Sequence, residues 1–126
     1  MSKPFAIFVS AYFLLASGLI SAGANAGDAA AGKKVFKKCK ACHYAVKDKN
    51  KTGPHLVNLI GREAGTVEGY KYSKAMKSSG IVWDDGTLTA YLRAPKKYLK
   101  GTKMAFAGLR KDADIANVIA YLKAQP

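Results

Sequence analysis

The chain has 126 residues with 21 Lys and Arg against 8 Asp and Glu, a formal charge of +13, and only two cysteines. That length leaves room for one small domain, and two cysteines exclude a disulfide-framework protein and an all-cysteine zinc module. The positive charge admits nucleic acid, anionic membrane or acidic proteins as partners. Its lysines are spread along the chain without interleaved aromatic platforms, which argues for an acidic protein and against nucleic acid.

Met1 to Pro4 carries a positive charge, Phe5 to Ile20 is mostly apolar, and Ala24-Asn25-Ala26 places small residues around a spacer. This is the three-part pattern of a secretory signal peptide cleaved after Ala26, so residues 1–26 are expected to be removed. The apolar stretch is shorter than the roughly 20 residues of a spanning helix, so stable membrane insertion is not expected. Residues 27–126 then form the domain, in an extracytoplasmic compartment that would be the periplasm in a bacterium.

Asp28 is placed to cap a helix that begins Ala29-Ala30-Ala31, with Gly32, Val35, Phe36 and Cys39 on one face. Gly32 costs such a helix about 1 kcal/mol relative to alanine; it is either simply tolerated or the site of a close helix crossing. The helix leads into Cys39-Lys40-Ala41-Cys42-His43. Two thiols one helical turn apart, followed at once by an imidazole, suit thioether attachment of a haem with a nitrogen beneath its iron. Zinc would need four ligands, and beyond the two cysteines only His43 and His55 are available. A redox dithiol would call for a βαβ surround, and a disulfide across so small a loop would leave His43 unexplained.

Beyond the motif, Tyr44 to Lys51 is polar and basic, and Thr52-Gly53-Pro54-His55-Leu56 has turn chemistry. A ligating histidine usually donates its second ring N–H to a carbonyl, which the Gly-Pro turn can supply. His55 is expected to be an exposed loop histidine, with iron ligation the rival reading. Arg62, in a glycine-containing loop, is either a cation for a haem propionate or a solvated side chain. Ser73 to Ser79 is expected to form a short helix ended by Gly80, with Met76 packing in it. Asp84 and Asp85 can cap a helix from Leu88 to Arg93 that Pro95 stops, and Trp83 precedes it.

Pro95 to Phe106 is expected to be a basic loop carrying Met104 near Gly101. A thioether there is a soft ligand favouring ferrous iron. Asp112 is placed to cap a last helix with Ile115, Val118, Ile119 and Leu122 on one stripe. The sequence has no useful strand alternation and no internal repeat, so the fold class is all-α.

From Gly27 onward the chain resembles class I c-type cytochromes, closer to the bacterial periplasmic cytochrome c2 type than to the mitochondrial form. The resemblance lies in Cys39-Lys40-Ala41-Cys42-His43, Thr52-Gly53-Pro54, Gly61-Arg62, the Trp83 helix, Pro95-Lys96-Lys97-Tyr98, Gly101-Thr102-Lys103-Met104 and Ile119-Ala120-Tyr121-Leu122. It implies a small all-α cytochrome c fold whose helices wrap around one haem c held by Cys39 and Cys42. It further implies axial ligation by His43 and Met104, orientation of His43 by the Pro54 carbonyl, and Tyr72 and Trp83 near a propionate. Tyr91 and Thr102 would line the pocket near the methionine. Gly32, Phe36, Val118 and Tyr121 would match a crossing of first and last helices. Two positions depart from the family pattern: His55 and Met76 stand where asparagine is common.

The implied function is a monomeric single-electron carrier between respiratory or photosynthetic partners, and not an enzyme. Acidic redox proteins would dock at a haem edge ringed by Lys38, Lys51, Lys96, Lys97, Lys103 and Lys111. The rivals are an enzyme or gas sensor with Met104 off the iron, and a haem-free zinc or disulfide protein.

Overall fold

The computed structural model describes residues 26–126, so the signal-peptide reading falls almost wholly outside the described residues. Five helices follow in order: α1 (Ala29–Phe36), α2 (Lys74–Lys77), α3 (Asp85–Arg93), α4 (Pro95–Tyr98) and α5 (Asp112–Lys123). Among the described residues none is long and apolar enough to cross a membrane, and extended pairing is limited to an isolated bridge between Glu63 and Val82.

Helix α1 starts where its capping residue is. The Asp28 carboxylate accepts from the amides of Ala30 and Ala31, satisfying donors that the first turn leaves open. The Asp28 amide in turn donates to Asn117 Oδ1 at 2.8 Å, tying the start of α1 to α5. Asp28→Ala is therefore expected to lower the stability of the holoprotein by about 0.5–2 kcal/mol, read from urea denaturation. A loss below that range would mean the cap is replaceable by water.

The crossing of α1 and α5 is the main helix contact. Gly32 is buried at its centre, and a Cβ there would overlap the Asn117 carbonyl and lie 2.7 Å from Tyr121 Cβ. A side chain of any size is thus excluded by backbone. One turn on, the Phe36 and Tyr121 rings pack at 5.3 Å, tilted by 43°. The stripe expected on α5 is the buried one: Ile115, Val118, Ile119 and Leu122 all face the core.

Three local expectations are corrected. Helix α1 ends at Phe36, and Cys39 to His43 lie in successive turns in which the amides of Cys42 and His43 both donate to the Cys39 carbonyl. Asp112 is not the cap of α5: it is the first helical residue, Lys111 stands at the cap without a side-chain bond, and the Asp112 carboxylate pairs with Arg93 at 2.5 Å. An acidic first turn still complements the helix dipole, so the sequence signal had a physical basis one position away. Pro95 does end α3, but it also opens α4 at its first position, where a missing N–H costs nothing. The helix before it begins as expected, with Asp84 and Thr87 forming a reciprocal capping box.

Candidate haem site

The turns after α1, the Thr52–Leu56 segment, α3 and the Met104 loop enclose one cavity of about 340 Å³. Its wall includes all ten residues singled out from the sequence: Cys39, Cys42, His43, Pro54, Arg62, Tyr72, Trp83, Tyr91, Thr102 and Met104.

His43 is fixed by its neighbours. Its Nδ1 donates to the Pro54 carbonyl at 2.7 Å, which leaves Nε2 as the ring's free lone pair. Gly53 sits against the ring so closely that a Cβ would overlap His43 Cε1, so the turn needs glycine to let the carbonyl reach the imidazole. Burial pushes the His43 pKa down, opposed by the bond to Pro54 and reinforced by the Arg62 and Lys51 charges. The imidazole is therefore neutral at physiological pH, the form that ligates metals.

Cys39 and Cys42 are free thiols, the first partly buried and the second exposed. Burial, then the neighbouring Cys42, pushes the Cys39 thiol up, while Lys38 pulls it down. A Cys39 thiol pushed up in this way is unlike the depressed thiolate of a redox dithiol. Among the described residues no group of three or more His, Cys, Asp or Glu is placed around a common point.

On the methionine side, Thr102 Oγ1 is shared: it bonds the Tyr91 hydroxyl at 2.8 Å and accepts from the Met104 amide at 3.4 Å. Tyr91 itself is buried on α3 and packs against Trp83 at 5.1 Å. Met104 is thereby held by a loop tied to a rigid helix. Met76 is buried in the same wall and packs with the core, as expected of a helical methionine.

His55 stands differently from its expected place. His55 is not an exposed loop histidine and does not line the cavity: its side chain is 15% exposed and its Nε2 lies 2.8 Å from Asp48 Oδ1. The Arg62 guanidinium is not free in solvent, since it donates to the Val57 carbonyl at 2.8 Å and the His55 carbonyl at 3.0 Å. Burial lowers its pKa, yet from so high a starting value that it stays charged at the cavity wall.

Tyr70 lines the wall and was absent from the sequence reading. Its hydroxyl donates to the Thr52 carbonyl at 2.9 Å and its ring meets Tyr72 edge-on at 4.8 Å. The two-residue spacing of Tyr70 and Tyr72 after a turn glycine is the signal that was available, because extended chain returns a side chain to the same side every second residue.

These residues fit a covalently held haem. Two unpaired thiols stand beside a neutral imidazole and a thioether in one apolar cavity, whose wall also carries the cations Arg62, Lys38 and Lys103. The family model for cytochrome c matches residues 29–126. The chain belongs to the cytochrome c family. Cytochrome c-550 of Nitrobacter winogradskyi is 50% identical over 97 residues, covering 76% of this chain and 89% of that protein. Cytochrome c2 of Blastochloris viridis is 46% identical over 112 residues, covering 88% and 87%. Among solved structures, cytochrome cH from Methylobacterium extorquens superimposes with a TM-score of 0.74 at 47% identity, covering 77% of this chain and 98% of that one. As a class I c-type cytochrome with an all-α fold, the protein holds haem c covalently through its Cys39-x-x-Cys42-His43 motif, and it is an electron carrier rather than an enzyme.

Proposed function

We propose that this cytochrome c is a soluble, monomeric shuttle with one His43/Met104-ligated haem, carrying single electrons between respiratory or photosynthetic partners. Haem c, when bound, supplies a ferric/ferrous couple that accepts or releases one electron. His43 offers Nε2 because Pro54 occupies Nδ1. Met104 offers a soft sulfur that favours the ferrous form. Phe36, Leu56, Leu88 and Val118 exclude water from the wall, and two protein ligands leave no position for a substrate. The observation that carries the reading is that a Pro54-oriented His43 and Met104 line the same apolar cavity.

A sulfur-to-iron charge-transfer band in the oxidised spectrum tests it. Its absence at neutral pH would overturn methionine ligation and favour a ligand-binding haem protein.

The mature chain is proposed to be residues 27–126, released into the periplasm by cleavage after Ala26. N-terminal sequencing or intact mass of the periplasmic holoprotein reads the cleavage position directly.

Docking is assigned to the lysine-rich rim. Lys38 lines the haem cavity, while Lys96 and Lys97 border a second cleft of about 370 Å³ that shares Ala105 and Phe106 with it. Not every rim lysine is equally available. Lys103 Nζ donates to the Lys71 carbonyl and lies over the Tyr70 ring, and Lys51 Nζ donates to the Lys40 carbonyl and lies over Tyr44. Lys97 is therefore the cleaner probe. Lys123, on α5, pairs with Asp85 at 2.7 Å, an exposed contact that contributes about 0–1 kcal/mol. Neutralising it by Lys123→Gln changes the net charge as Lys97→Gln does without disturbing the fold.

Clustered charge raises association rates by roughly 10- to 10³-fold, over a reach of about 8 Å at physiological ionic strength. Stopped-flow rates with an acidic redox protein at low salt should fall for Lys97→Gln and stay near the parent for Lys123→Gln. Equal slowing would mean that net charge alone matters and would sink the docking face.

A further inference from the structure

The aromatic rings that line the haem cavity do not stop at its wall. Trp83 and Tyr91, both buried in that wall, pack at 5.1 Å between ring centroids, and Tyr91 meets Tyr98 edge-on at 6.2 Å. Tyr98 ends α4 and is 40% exposed, whereas the other tyrosines among the described residues are buried or partly buried. Pro95, buried at the start of α4, seats that short helix on the core, and the Tyr98 amide donates to the Ala94 carbonyl at 2.9 Å. Packed, oxidisable rings therefore lead from the cavity to the surface. Tyr70 and Tyr72 line the wall too, but both are partly buried and Lys103 Nζ lies over the Tyr70 ring.

The two tyrosines of this path differ in what they can do. A phenol gives up an electron readily only when its proton leaves as well, because the oxidised phenol is a strong acid. An exposed Tyr98 can pass that proton to water. Tyr91 has no such outlet: its hydroxyl is bonded to Thr102 Oγ1 at 2.8 Å, an alcohol is a poor base, and burial pushes the Tyr91 pKa up. Tyr98 is thus where an oxidising equivalent comes to rest, and the Tyr91 ring is the contact through which an electron from the haem reaches it. Lys96 and Lys97, the two exposed residues before Tyr98 in α4, place two positive charges beside the phenol. Such a surface draws small anions towards it.

We infer that Tyr98 is a capture site for small anionic one-electron oxidants, with the carbonate radical anion as the type, and that ferrous haem repairs it through the Tyr91 ring. The inference rests on the haem reading of the cavity. First, the carbonate radical anion takes one electron and the phenolic proton from Tyr98, leaving hydrogencarbonate and a neutral Tyr98 phenoxyl radical. Then one electron from ferrous iron and one proton from solvent restore the phenol, and the iron becomes ferric. The redox partner that normally reduces the iron closes the cycle, and no bond to the haem forms or breaks.

The test is pulse radiolysis of the ferrous holoprotein in hydrogencarbonate buffer, with radical well below protein concentration, for the parent, Tyr98→Phe and Tyr44→Phe. Tyr44 is the control because it also lies beside two lysines, Lys47 and Lys51, but does not line the cavity. The yield of ferric haem per radical should fall in Tyr98→Phe and stay at the parent's level in Tyr44→Phe. Peptide mass spectrometry gives a second readout: oxidation products at Tyr98 should be abundant after irradiating the ferric parent, which has no electron to return, and scarce after irradiating the ferrous one. Tyr91→Leu should lose that protection. Lys96→Gln with Lys97→Gln should lower the yield with the carbonate radical anion and not with the neutral azide radical.

The sulfur-to-iron band, recorded on the same ferric samples, should be present in the parent and in Tyr98→Phe; its absence from the parent would strike at methionine ligation instead, so the two readings fail separately. A yield unchanged by Tyr98→Phe, or equal damage at Tyr98 in the two iron states, would overturn the inference. Protection retained in Tyr91→Leu would overturn the path through that ring, and equal effects of the lysine changes on both radicals would overturn the preference for anions.

Discussion

Met104→Ala is expected to give a protein that still carries its haem but binds carbon monoxide when reduced and has a lower reduction potential. Attachment should survive because it depends on Cys39 and Cys42, which are on the far side of the chain from the methionine loop in sequence. The potential should fall because a thioether stabilises ferrous iron, and water or hydroxide in its place does not. The loop should keep its path, since Thr102 remains bonded to Tyr91 on α3. Loss of the charge-transfer band with otherwise native circular dichroism would show that one ligand, and not the fold, was removed. A mutant that keeps the parent spectrum and refuses carbon monoxide would show that Met104 is not the ligand. His55 is no ready substitute, because its Nε2 is engaged by Asp48 and it does not line the cavity.

Gly32→Ala is expected to be strongly destabilising. The added Cβ would overlap the Asn117 carbonyl, and the next obstacle, at 2.7 Å, is the Tyr121 Cβ. Neither is the end of a flexible side chain, so α1 and α5 must separate, and with them the Phe36–Tyr121 contact. Overpacking of this kind costs about 1–3 kcal/mol where neighbours can adjust, and here backbone cannot, so a loss of about 3 kcal/mol or more is expected. That is a large share of the stability of a small domain. Gly86→Ala is the matched control: Gly86 lies in the first turn of α3 and its added Cβ meets only Asp84 Oδ1 at 3.4 Å. It should be neutral or stabilise by about 0.5–1 kcal/mol, as expected for alanine over glycine in a helix. Similar urea midpoints for the two variants would remove the tight crossing as the reason for Gly32.

Much of this architecture is local chemistry, and local chemistry is legible in order along the chain. Asp28 and Asp84 mark helix starts because a short carboxylate at a cap satisfies the amides within three residues of it. The α5 stripe is legible because burial on one face repeats with the helical period. Cys39, Cys42 and His43 point to haem for the same reason: their spacing in sequence is nearly their spacing in space. Asp112 was misplaced by one position, and Pro95 stops α3 as expected but also opens the short helix α4 inside what reads as a loop.

The pairings between distant segments were decided only by the tertiary structure. That Met104 lines the same cavity as His43 follows from the bond between Thr102 and Tyr91, which ties the Met104 loop to α3. Read from its own residues, Gly32 had two open meanings until Asn117, 85 positions away, was placed against it. His55 is the strongest case. Its neighbours Asp48, Asn50, Val57 and Arg62 are all within a few residues in sequence, yet composition reads as a polar loop. What makes it a connected unit is the direction of each donor and acceptor, and direction is set by backbone path, which residue types in a turn-rich segment leave open.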